Sequence, residues 1–184
     1  MAVTTERETE MILIDTETSG LLLPEGADLA TQPWAIEIAV LKLGPKYKEV
    51  ARYTTLLKPG APIDEELHKK ITGLTNADLA KAPTFLEVYG ALAAFCLGET
   101  MIVAHNMSFD LGILVNELRR IGKEFAFPFP PEQICTVEAS KHILGRRMKL
   151  TELYEHLTKK KLKQTHRAMD DVEALVQVVK GLKL

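Results

Sequence analysis

The sequence contains little cysteine and no long apolar run. Cys96 and Cys135 are the two cysteines among 184 residues, and neither has a cysteine or histidine neighbour at the spacing of a zinc site. Both are expected to be buried free thiols. No apolar segment is long enough to cross a bilayer, and the polar opening from Met1 to Glu10 does not resemble a secretory signal. We therefore expect a cytoplasmic protein in which residues 1–9 are flexible.

The net charge is small, but one segment is strongly basic. The chain has a formal net charge of −2 at pH 7, which argues against a general affinity for polyanions. Between Lys141 and Arg167, however, nine basic residues stand against two acidic ones, a local net charge of +7. Because such runs are often ordinary solvated surface, composition alone leaves open whether this segment binds nucleic acid.

Length and composition predict one domain over residues 1–184. With 46% hydrophobic and 26% charged residues, the chain can bury one core and is too short for two of ordinary size. No internal repeat, low-complexity tract or shift of composition indicates a boundary.

Short apolar runs predict strands, and helical spacing predicts helices. The predicted strands are Met11–Asp15, Ala35–Leu43, Ala51–Leu57, Met101–Ala104 and Gln133–Thr136. The predicted helices are Thr84–Leu97, Asn106 or Ser108 to Ile121, Val137–Leu144, Lys149–Leu157 and Thr165–Lys180. The first three strands form an antiparallel meander, and Phe125–Pro131, which contains three prolines, is a loop that covers one end of the core. Strands followed by alternating strands and helices predict an α/β fold with a mixed sheet covered by helices.

Four acids lie where apolar core residues are expected. Alternation along the first strand places Asp15 and Glu17 on its buried face. Asp110 heads the apolar stripe of the middle helix, and Asp171 lies on the inward stripe of the last helix. The neighbouring Asp170 falls on the outward face of that helix.

Such a set of acids predicts a divalent metal site. One acid alone could be a first-turn helix residue or the partner of a buried arginine. Clustered carboxylates, however, lose hydration and repel one another, so cations must compensate them. No lysine or arginine accompanies these positions in sequence. Oxygen ligands without soft donors are the set that Mg²⁺ or Mn²⁺ prefers.

Three motifs around these acids resemble those of a known enzyme family. They are Asp15-Thr-Glu-Thr-Ser-Gly20, His105-Asn-Met-Ser-Phe-Asp110 and His166-Arg-Ala-Met-Asp-Asp171. In this order and spacing they resemble the motifs of DEDDh exonucleases, relatives of the proofreading (epsilon) subunit of bacterial replicative DNA polymerase. The resemblance covers about Met11 to Leu182, and Ile71-Thr-Gly-Leu-Thr75 also looks like a family segment.

The resemblance implies an RNase H-like fold, with a five-stranded mixed sheet of three antiparallel strands plus parallel strands flanked by helices. It also implies 3′→5′ exonuclease activity that uses two Mg²⁺ or Mn²⁺ ions and releases nucleoside 5′-monophosphates. Asp15 would bridge both ions, Glu17 and Asp171 would complete the more tightly held one, and Asp110 would reach the second through water. His166 would be the general base, a role that suits an imidazole.

Further residues match positions that meet the substrate in relatives. The loop with Thr18, Gly20 and Leu21 resembles the part that meets the terminal nucleotide, and Leu21 and Ile71 match wedging or stacking positions. Both side chains suit simple packing equally well. Asn106 resembles a substrate-side polar residue, although a helix cap explains it almost as well. Recognition is expected to depend on shape and backbone more than on base edges.

The implied partner is a nucleic acid with a free 3′ end, with single-stranded DNA favoured over RNA, in proofreading or repair. Lys159–Lys163 precedes His166 directly and is predicted to contact phosphates. Leu22–Trp34 is longer than the usual link between the first two strands, which leaves substrate preference there open. Association with a polymerase is compatible with the family, but nothing after Leu184 corresponds to the tail by which the epsilon subunit binds its polymerase.

Other interpretations have weaker support. A 3′→5′ exoribonuclease of the same family would share the fold and the catalytic residues, and the sequence barely separates it from a deoxyribonuclease. A non-catalytic nucleic-acid-binding module is disfavoured because all four acids and the histidine are present. A tyrosine-type relative is disfavoured by Arg167, four positions before Asp171. His68, His142 and His156 are predicted to be surface residues, and His105 to bond locally.

Overall fold

Apolar segments of the chain form a five-stranded sheet, and amphipathic segments form helices that cover it on both faces. The structure, a computed structural model, describes residues 10–184, so the expected flexibility of residues 1–9 lies outside it. The elements are β1 (Met11–Thr18), β2 (Ala35–Gly44), a 3₁₀ turn (Pro45–Tyr47), β3 (Lys48–Leu56), α1 (Glu65–Ile71), α2 (Asn76–Leu79), α3 (Phe85–Cys96), β4 (Met101–Ala104), α4 (Met107–Arg120), β5 (Glu132–Cys135), α5 (Thr136–Ala139), α6 (Lys141–Leu144), α7 (Leu150–Thr158) and α8 (Ala168–Leu182).

The strand order is β3-β2-β1-β4-β5. β1 and β2 pair antiparallel, as do β2 and β3, whereas β4 joins β1 in parallel and β5 joins β4 in parallel. This arrangement confirms the predicted RNase H-like mixed sheet, including its antiparallel meander. Among residues 10–184, no helix has the length and apolarity needed to span a membrane.

Alternation along β1 divides its side chains between two cores. Leu13 belongs to the core that also contains the apolar sides of α7 and α8. Ile12 and Ile14 belong to the opposite core, with α3 and α4. Because successive side chains of a strand point to opposite faces, Asp15 and Glu17 continue the face of Leu13, toward α8.

The last helix begins later than predicted. It starts at Ala168 rather than at Thr165. The Thr165 hydroxyl donates a hydrogen bond to the Asp170 carboxylate, and His166 has a φ of 51°, so the residues before Ala168 are not helical. The start of α8 is therefore fixed by contacts that periodicity does not reveal.

Two other predictions differ from the structure. The predicted helix Val137–Leu144 is divided at Ser140 into α5 and α6. The buried Ser140 hydroxyl donates to the Val137 carbonyl, a local bond that competes with a continuous helix. Cys96 is buried as expected, but Cys135 is only half-buried; both are free thiols.

His68 was expected on the surface, and this was wrong. It lies in α1 with 4% of its surface exposed. Neither ring nitrogen has a hydrogen-bond partner within residues 10–184. His142 is exposed as predicted, and His156 is half-buried. The charged neighbours of His68 in sequence suggested a polar helix face, and they concealed that His68 itself lies on the buried side of α1.

The link Leu22–Trp34 is held by one arginine of α4. The Arg120 guanidinium lies 3.7 Å from the centre of the Trp34 ring and donates to Glu117 at 2.8 Å. Glu117 in turn accepts from the backbone N–H of Ala35 at 2.9 Å. Arg120 also donates to the carbonyls of Leu29, Gln32 and Pro33. A side chain 88 residues away in sequence thus orders this link.

Two glycines allow this link to lie close to the rest of the chain. A Cβ on Gly112 would lie 2.6 Å from Cδ1 of Leu22, and one on Gly60 would lie 2.4 Å from the Trp34 ring. Both distances are too short for carbon atoms, so any larger residue would displace the link.

The proline-rich loop Phe125–Pro131 is a loop as predicted. Phe127 is buried in the core on the α3 and α4 side, and its ring centre lies 4.7 Å from that of Phe129. Phe125 is 98% exposed. Two of the three aromatic side chains therefore cover the core, as expected for this loop.

Candidate active site

The carboxyl end of β1 brings three elements of the chain together. Asp15 and Glu17 lie on β1, Asp110 on the first turn of α4 and Asp171 on the first turn of α8. α4 and α8 cover opposite faces of the sheet, so Asp110 and Asp171 approach β1 from two sides. The charges of Asp110, Asp171 and Glu17 all act on Asp15, so the four predicted acids meet at one site. Asp15 and Asp110 are not part of the group of described residues whose ligand atoms lie within 4.8 Å of one another.

Asp110 is fixed to β1 by Thr16. The backbone N–H of Thr16 donates to Oδ1 of Asp110 at 3.0 Å, and its hydroxyl donates to the same oxygen at 2.8 Å. Both residues are buried. The second oxygen of Asp110, Oδ2, takes no part in these two bonds.

Glu17, His166 and Asp171 form a compact group. One ligand atom from each lies within 4.8 Å of the other two. Asp171 also accepts a hydrogen bond at 2.9 Å from the Gln164 amide through Oδ2. A carboxylate pair with an imidazole at this distance can bind a cation.

Burial and mutual repulsion disfavour charge on these acids. Burial, and next the nearby Asp110, Asp171 and Glu17, raise the pKa of Asp15 well above its usual value. Burial and the charge of Asp171 raise the pKa of Glu17 to about 8. Without a bound cation, Glu17 would therefore hold a proton at neutral pH.

Burial also acts on the other two acids. Burial raises the pKa of Asp110 to about 7, although the hydrogen bonds from Thr16 act in the opposite direction. Burial also raises the pKa of Asp171, which the hydrogen bond from Gln164 partly offsets. None of the ion pairs formed within residues 10–184 includes any of these four acids. Buried hard oxygen donors that form no ion pair with a lysine or arginine fit a divalent metal ion.

Asp170 and Asp171 differ as the helical periodicity predicts. Asp171 is buried in the site, whereas Asp170 is exposed and accepts a hydrogen bond from the Thr165 hydroxyl at 2.5 Å. Asp170 therefore lies outside the group formed by Glu17, His166 and Asp171.

A fifth acid, Glu37, was missed in the sequence. It lies on β2 directly opposite Glu17, is buried, and binds the Arg167 guanidinium through both carboxylate oxygens at 2.9 Å. The position of Glu37 within the apolar run of β2 could have marked it as a buried acid. Its partner Arg167, however, lies 130 residues away in sequence and could not be identified from the pattern. Arg167 thus contributes a cation beside the site, where sequence reasoning found none.

His105 was predicted to pack or bond locally, but its hydrogen-bond partners are distant in sequence. Its ring nitrogens lie 2.9 Å from the Thr136 hydroxyl and 3.0 Å from the Met148 carbonyl oxygen. Asn106 occupies the N-cap position of α4, with a φ of 77°, but its side chain makes no cap bond. The side-chain oxygen of Asn106 instead accepts from Arg147 at 2.9 Å. The helix-cap role considered for the Asn106 side chain is therefore wrong.

The remaining predicted substrate residues lie on the surface or at its edge. The Thr18 hydroxyl donates to the Gly20 carbonyl at 2.7 Å, which shapes the turn after β1. Leu21 is 81% exposed, and Ile71 at the end of α1 is 39% exposed. A cleft of about 280 Å³ adjoins Gly20 and Leu21, and residues of the link up to Trp34 form part of its wall. Leu21 and Ile71 are free to contact a ligand, whereas Thr18 supports the turn.

The lysine run Lys159–Lys163 connects α7 to the site. Its lysines are exposed, and none takes part in an ion pair within the described residues. Lys160 and Lys163 line a cleft of about 590 Å³ between α7 and α8, which Asp170 and Glu173 also line. The lysines thus offer positive charge in this cleft, whose lining includes none of the predicted catalytic residues.

The chain matches the exonuclease family RNase_T over residues 12–179 and belongs to that family. DEDDh exonucleases of this fold depend in general on divalent metal ions, which agrees with the oxygen donors of the site.

One relative is a protein of Mycobacterium tuberculosis (strain CDC 1551 / Oshkosh), named as a bifunctional exonuclease/endonuclease. It is 33% identical over 181 residues, which cover 96% of this chain and 27% of that protein. Epsilon subunits and PolC-type chains of DNA polymerase III are also among the relatives. The chain spans about a quarter or less of the length of the relatives it matches first.

Solved structures show the same fold. Exonuclease X in complex with 5′ overhanging duplex DNA is 24% identical, with a TM-score of 0.66 over 94% of this chain and 90% of that one. The nuclease domain of 3′hExo, a DEDDh family member bound to rAMP, is 18% identical, with a TM-score of 0.74 over the same shares. At these identities the likeness concerns the fold alone.

Proposed function

We propose that the protein is a metal-dependent 3′→5′ exonuclease that removes nucleoside 5′-monophosphates from single-stranded DNA ends. The observation that carries this proposal is the convergence of Asp15, Glu17, Asp110 and Asp171 beside His166. Burial raises the pKa of each acid, repulsion by neighbouring carboxylates adds to it for Asp15, Glu17 and Asp171, and none of the four acids forms an ion pair with a lysine or arginine within residues 10–184. Divalent ions would neutralise such a site.

Each acid has a proposed place. Asp15, Glu17 and Asp171 would hold one Mg²⁺ or Mn²⁺ ion, and Asp110 would hold a second together with Asp15. Thr16 orients Asp110 by occupying Oδ1, which leaves Oδ2 for that role. When bound, the ions would polarise the phosphate and lower the pKa of a bound water.

His166 is the proposed general base. Its ring lies in the group with Glu17 and Asp171, so a proton taken from water would form an imidazolium next to two carboxylates. These carboxylates would stabilise the imidazolium until the proton leaves. The proximity of His166 also suits a ligand, but the carboxylates already supply hard oxygen donors, and Mg²⁺ prefers oxygen to imidazole.

The strand end is proposed to enter along the turn after β1. Gly20 and Leu21 adjoin a cleft, and the exposed Leu21 and Ile71 would contact the terminal bases. Thr18 would shape the turn, and Asn106 with its Arg147 partner would contact the phosphate backbone. Base stacking and backbone contacts of this kind do not depend on sequence.

Several wider aspects belong to the same proposal. We place the protein in the cytoplasm and treat residues 1–184 as one exonuclease domain that acts in proofreading or repair. Polymerase association is supported by the epsilon and PolC-type relatives. An exoribonuclease is the second candidate, since one neighbour of the same fold binds rAMP and another recognises a histone mRNA stem-loop.

Digestion of end-labelled oligonucleotides tests the proposal. DNA and RNA of the same sequence, labelled at either end, are incubated with Mg²⁺, Mn²⁺ or EDTA. A 3′ label should leave at once as a mononucleotide, whereas a 5′ label should remain on a shortening ladder, and EDTA should stop both. Faster digestion of RNA would favour the exoribonuclease. Release of a 5′-terminal mononucleotide first, or no metal-dependent release, contradicts the proposed activity.

A further inference from the structure

The carboxylate of Glu37 joins β2 to the segment that carries His166. Nε of Arg167 donates to its Oε2 and Nη2 to its Oε1, both at 2.9 Å. The backbone N–H of Ala168 also donates to Oε2, at 3.3 Å. Glu37 is 3% exposed. Two parallel bonds between a guanidinium and a carboxylate fix both distance and orientation, unlike a single ion contact.

Glu37 takes the place of a local cap for α8. Arg167 occupies the N-cap position, but its side chain makes no cap bond within the helix. A helix N-terminus leaves backbone N–H groups unpaired and favours a nearby negative charge. The Glu37 carboxylate supplies both an acceptor and a charge from the sheet, so the first turn of α8 is tied to β2.

Glu37 is an unfavourable residue for its position in the sheet. It lies directly opposite Glu17, and like charges at such positions repel. Its charge contributes to the raised pKa of Asp15 and of Glu17. A serine or threonine at the N-cap would serve α8 without this repulsion. The bond to Arg167 is therefore the feature that a simple cap does not explain.

His166 depends on its neighbours for its conformation. Its φ of 51° lies in the left-handed region, which costs energy for a residue with a side chain. Thr165 on one side is bonded to Asp170, and Arg167 on the other is bonded to Glu37. The peptide units on either side of His166 are thus anchored to different parts of the fold.

We propose that Glu37 and Arg167 are a positioning pair that holds the His166 imidazole in place for general-base catalysis. The pair acts through His166 and touches neither the scissile phosphate nor the attacking water. This inference rests on the proposed nuclease function, and it assigns a task to two residues outside the four-acid site.

Variants of Glu37 and Arg167 can distinguish an effect on the position of His166 from an effect on metal binding or on folding. Glu37→Gln removes the charge, and Arg167→Lys keeps the positive charge but loses the planar fork. Each should lower kcat on a single-stranded oligonucleotide by about 10- to 100-fold. KM and the Kd for Mn²⁺ measured by calorimetry should each change by less than about threefold, and the melting temperature by only a few degrees.

A second background tests whether the pair acts through His166. In His166→Ala, measured in single turnovers with excess enzyme, adding Glu37→Gln should cause no further loss, because the residue that it positions is gone. Glu49→Gln is the matched control. It removes an exposed ion pair with Arg52 on β3, at the end of the sheet opposite the site, and should leave kcat unchanged.

Three results would each overturn the positioning role of the pair. The first is that the variants keep a kcat within about twofold of the wild type. The second is that Glu37→Gln lowers the rate as much in His166→Ala as in the wild type, and the third is that turnover is lost only because Mn²⁺ binding is lost. If Glu37→Gln does not fold, Arg167→Lys decides by the same criteria, because its Glu37 can still accept from Ala168.

The positioning role of the pair and the proposed nuclease activity can be refuted independently of each other. A wild type that releases no nucleotide with any metal refutes the proposed function. An active wild type whose variants keep their kcat refutes only the pair. The NMR signals of the imidazole decide without turnover: Arg167→Lys should shift or broaden those of His166 and leave those of His105 in place. Unchanged His166 signals would overturn the inference.

Discussion

Thr16 gives both of its hydrogen-bond donors to one oxygen of Asp110. The backbone N–H and the hydroxyl lie 3.0 and 2.8 Å from Oδ1, although the two residues are 94 positions apart in sequence. These bonds favour the charged carboxylate, whereas burial raises its pKa to about 7. One threonine thus connects α4 to β1 and sets both the orientation and the charge of Asp110.

Thr16→Val should shift the pH dependence of activity upward. The substitution removes the hydroxyl donor but keeps the backbone bond and the branched shape. Losing a bond to the charged form raises the pKa of Asp110 further, so the rate at pH 7 should fall by about 5- to 10-fold and recover at higher pH. Rates between about pH 6 and 9.5 at fixed Mg²⁺ measure this shift. Thr55→Val on β3 is the control, and a uniform loss at every pH would contradict the explanation.

The metal-free protein should lose stability as the pH rises toward 8. A group whose pKa is raised by folding stabilises the protein below its unfolded pKa, and this contribution disappears as the pH passes the folded value. The pKa of Glu17 rises from 4.5 to about 8 and that of Asp110 from 3.8 to about 7, so the loss should extend from about pH 4 to 8.

Mg²⁺ should remove most of this loss, because it binds the native carboxylates and not the unfolded chain. Urea denaturation at several pH values, in EDTA and in about 10 mM Mg²⁺, gives both curves. The difference between the two curves of unfolding free energy against pH reports on the site alone, because the exposed acids contribute equally to both curves. Curves that run parallel from pH 5 to 8 would show that the acids do not bind metal.

Regular patterns in the sequence predicted the sheet and the main acids. Period-two alternation along β1 assigned Asp15 and Glu17 to the same buried face as Leu13, and in the structure this face lies toward α8. The same reasoning with helical spacing separated Asp171 from Asp170. These predictions succeeded because each depends on a repeating geometry within a single element.

Contacts between distant residues were not predictable in this way. Glu37 and Arg167 lie on a strand and at a helix start, and neither position shows a pattern that names the other. Arg120 likewise anchors a loop far away in sequence, on the face of Trp34. The start of α8 at Ala168 depends on side-chain bonds that replace helical ones. Such pairs follow from the completed fold, not from local sequence.

Asp171→Asn should abolish turnover, and Asp170→Asn should largely keep it. Asp171 lies in the group with Glu17 and His166, whereas Asp170 is exposed and bonded to Thr165. We expect a loss of kcat of at least about 100-fold for the first and less than about threefold for the second. Single-turnover digestion of a labelled oligonucleotide measures both, with melting temperatures to exclude unfolding. The reverse order of activities would refute the assignment.

His68→Leu should stabilise the protein. The ring is buried in α1, and neither nitrogen has a hydrogen-bond partner within the described residues. Replacing an unsatisfied buried polar group by an apolar one of similar size should raise the free energy of unfolding by about 1 kcal/mol. Urea denaturation at pH 7 measures the change, and Leu67→Ala on the exposed face of α1 is a comparison within the same helix. A destabilised variant would indicate that the ring nitrogens bind an internal water.

Lys160→Ala with Lys163→Ala should weaken substrate binding without changing the chemical step. Both lysines are exposed, make no ion pair within residues 10–184 and line the cleft between α7 and α8. When a phosphate contact is lost, binding of the nucleic acid releases fewer counterions. The slope of log Kd against log salt should therefore decrease by about 1 per contact. Anisotropy titrations in Ca²⁺ at several salt concentrations give the slope, and kcat should change by less than about twofold. Lys123→Ala, on the surface after α4, is the matched control. An equal slope in the wild type and the double variant would show that the nucleic acid does not bind in this cleft.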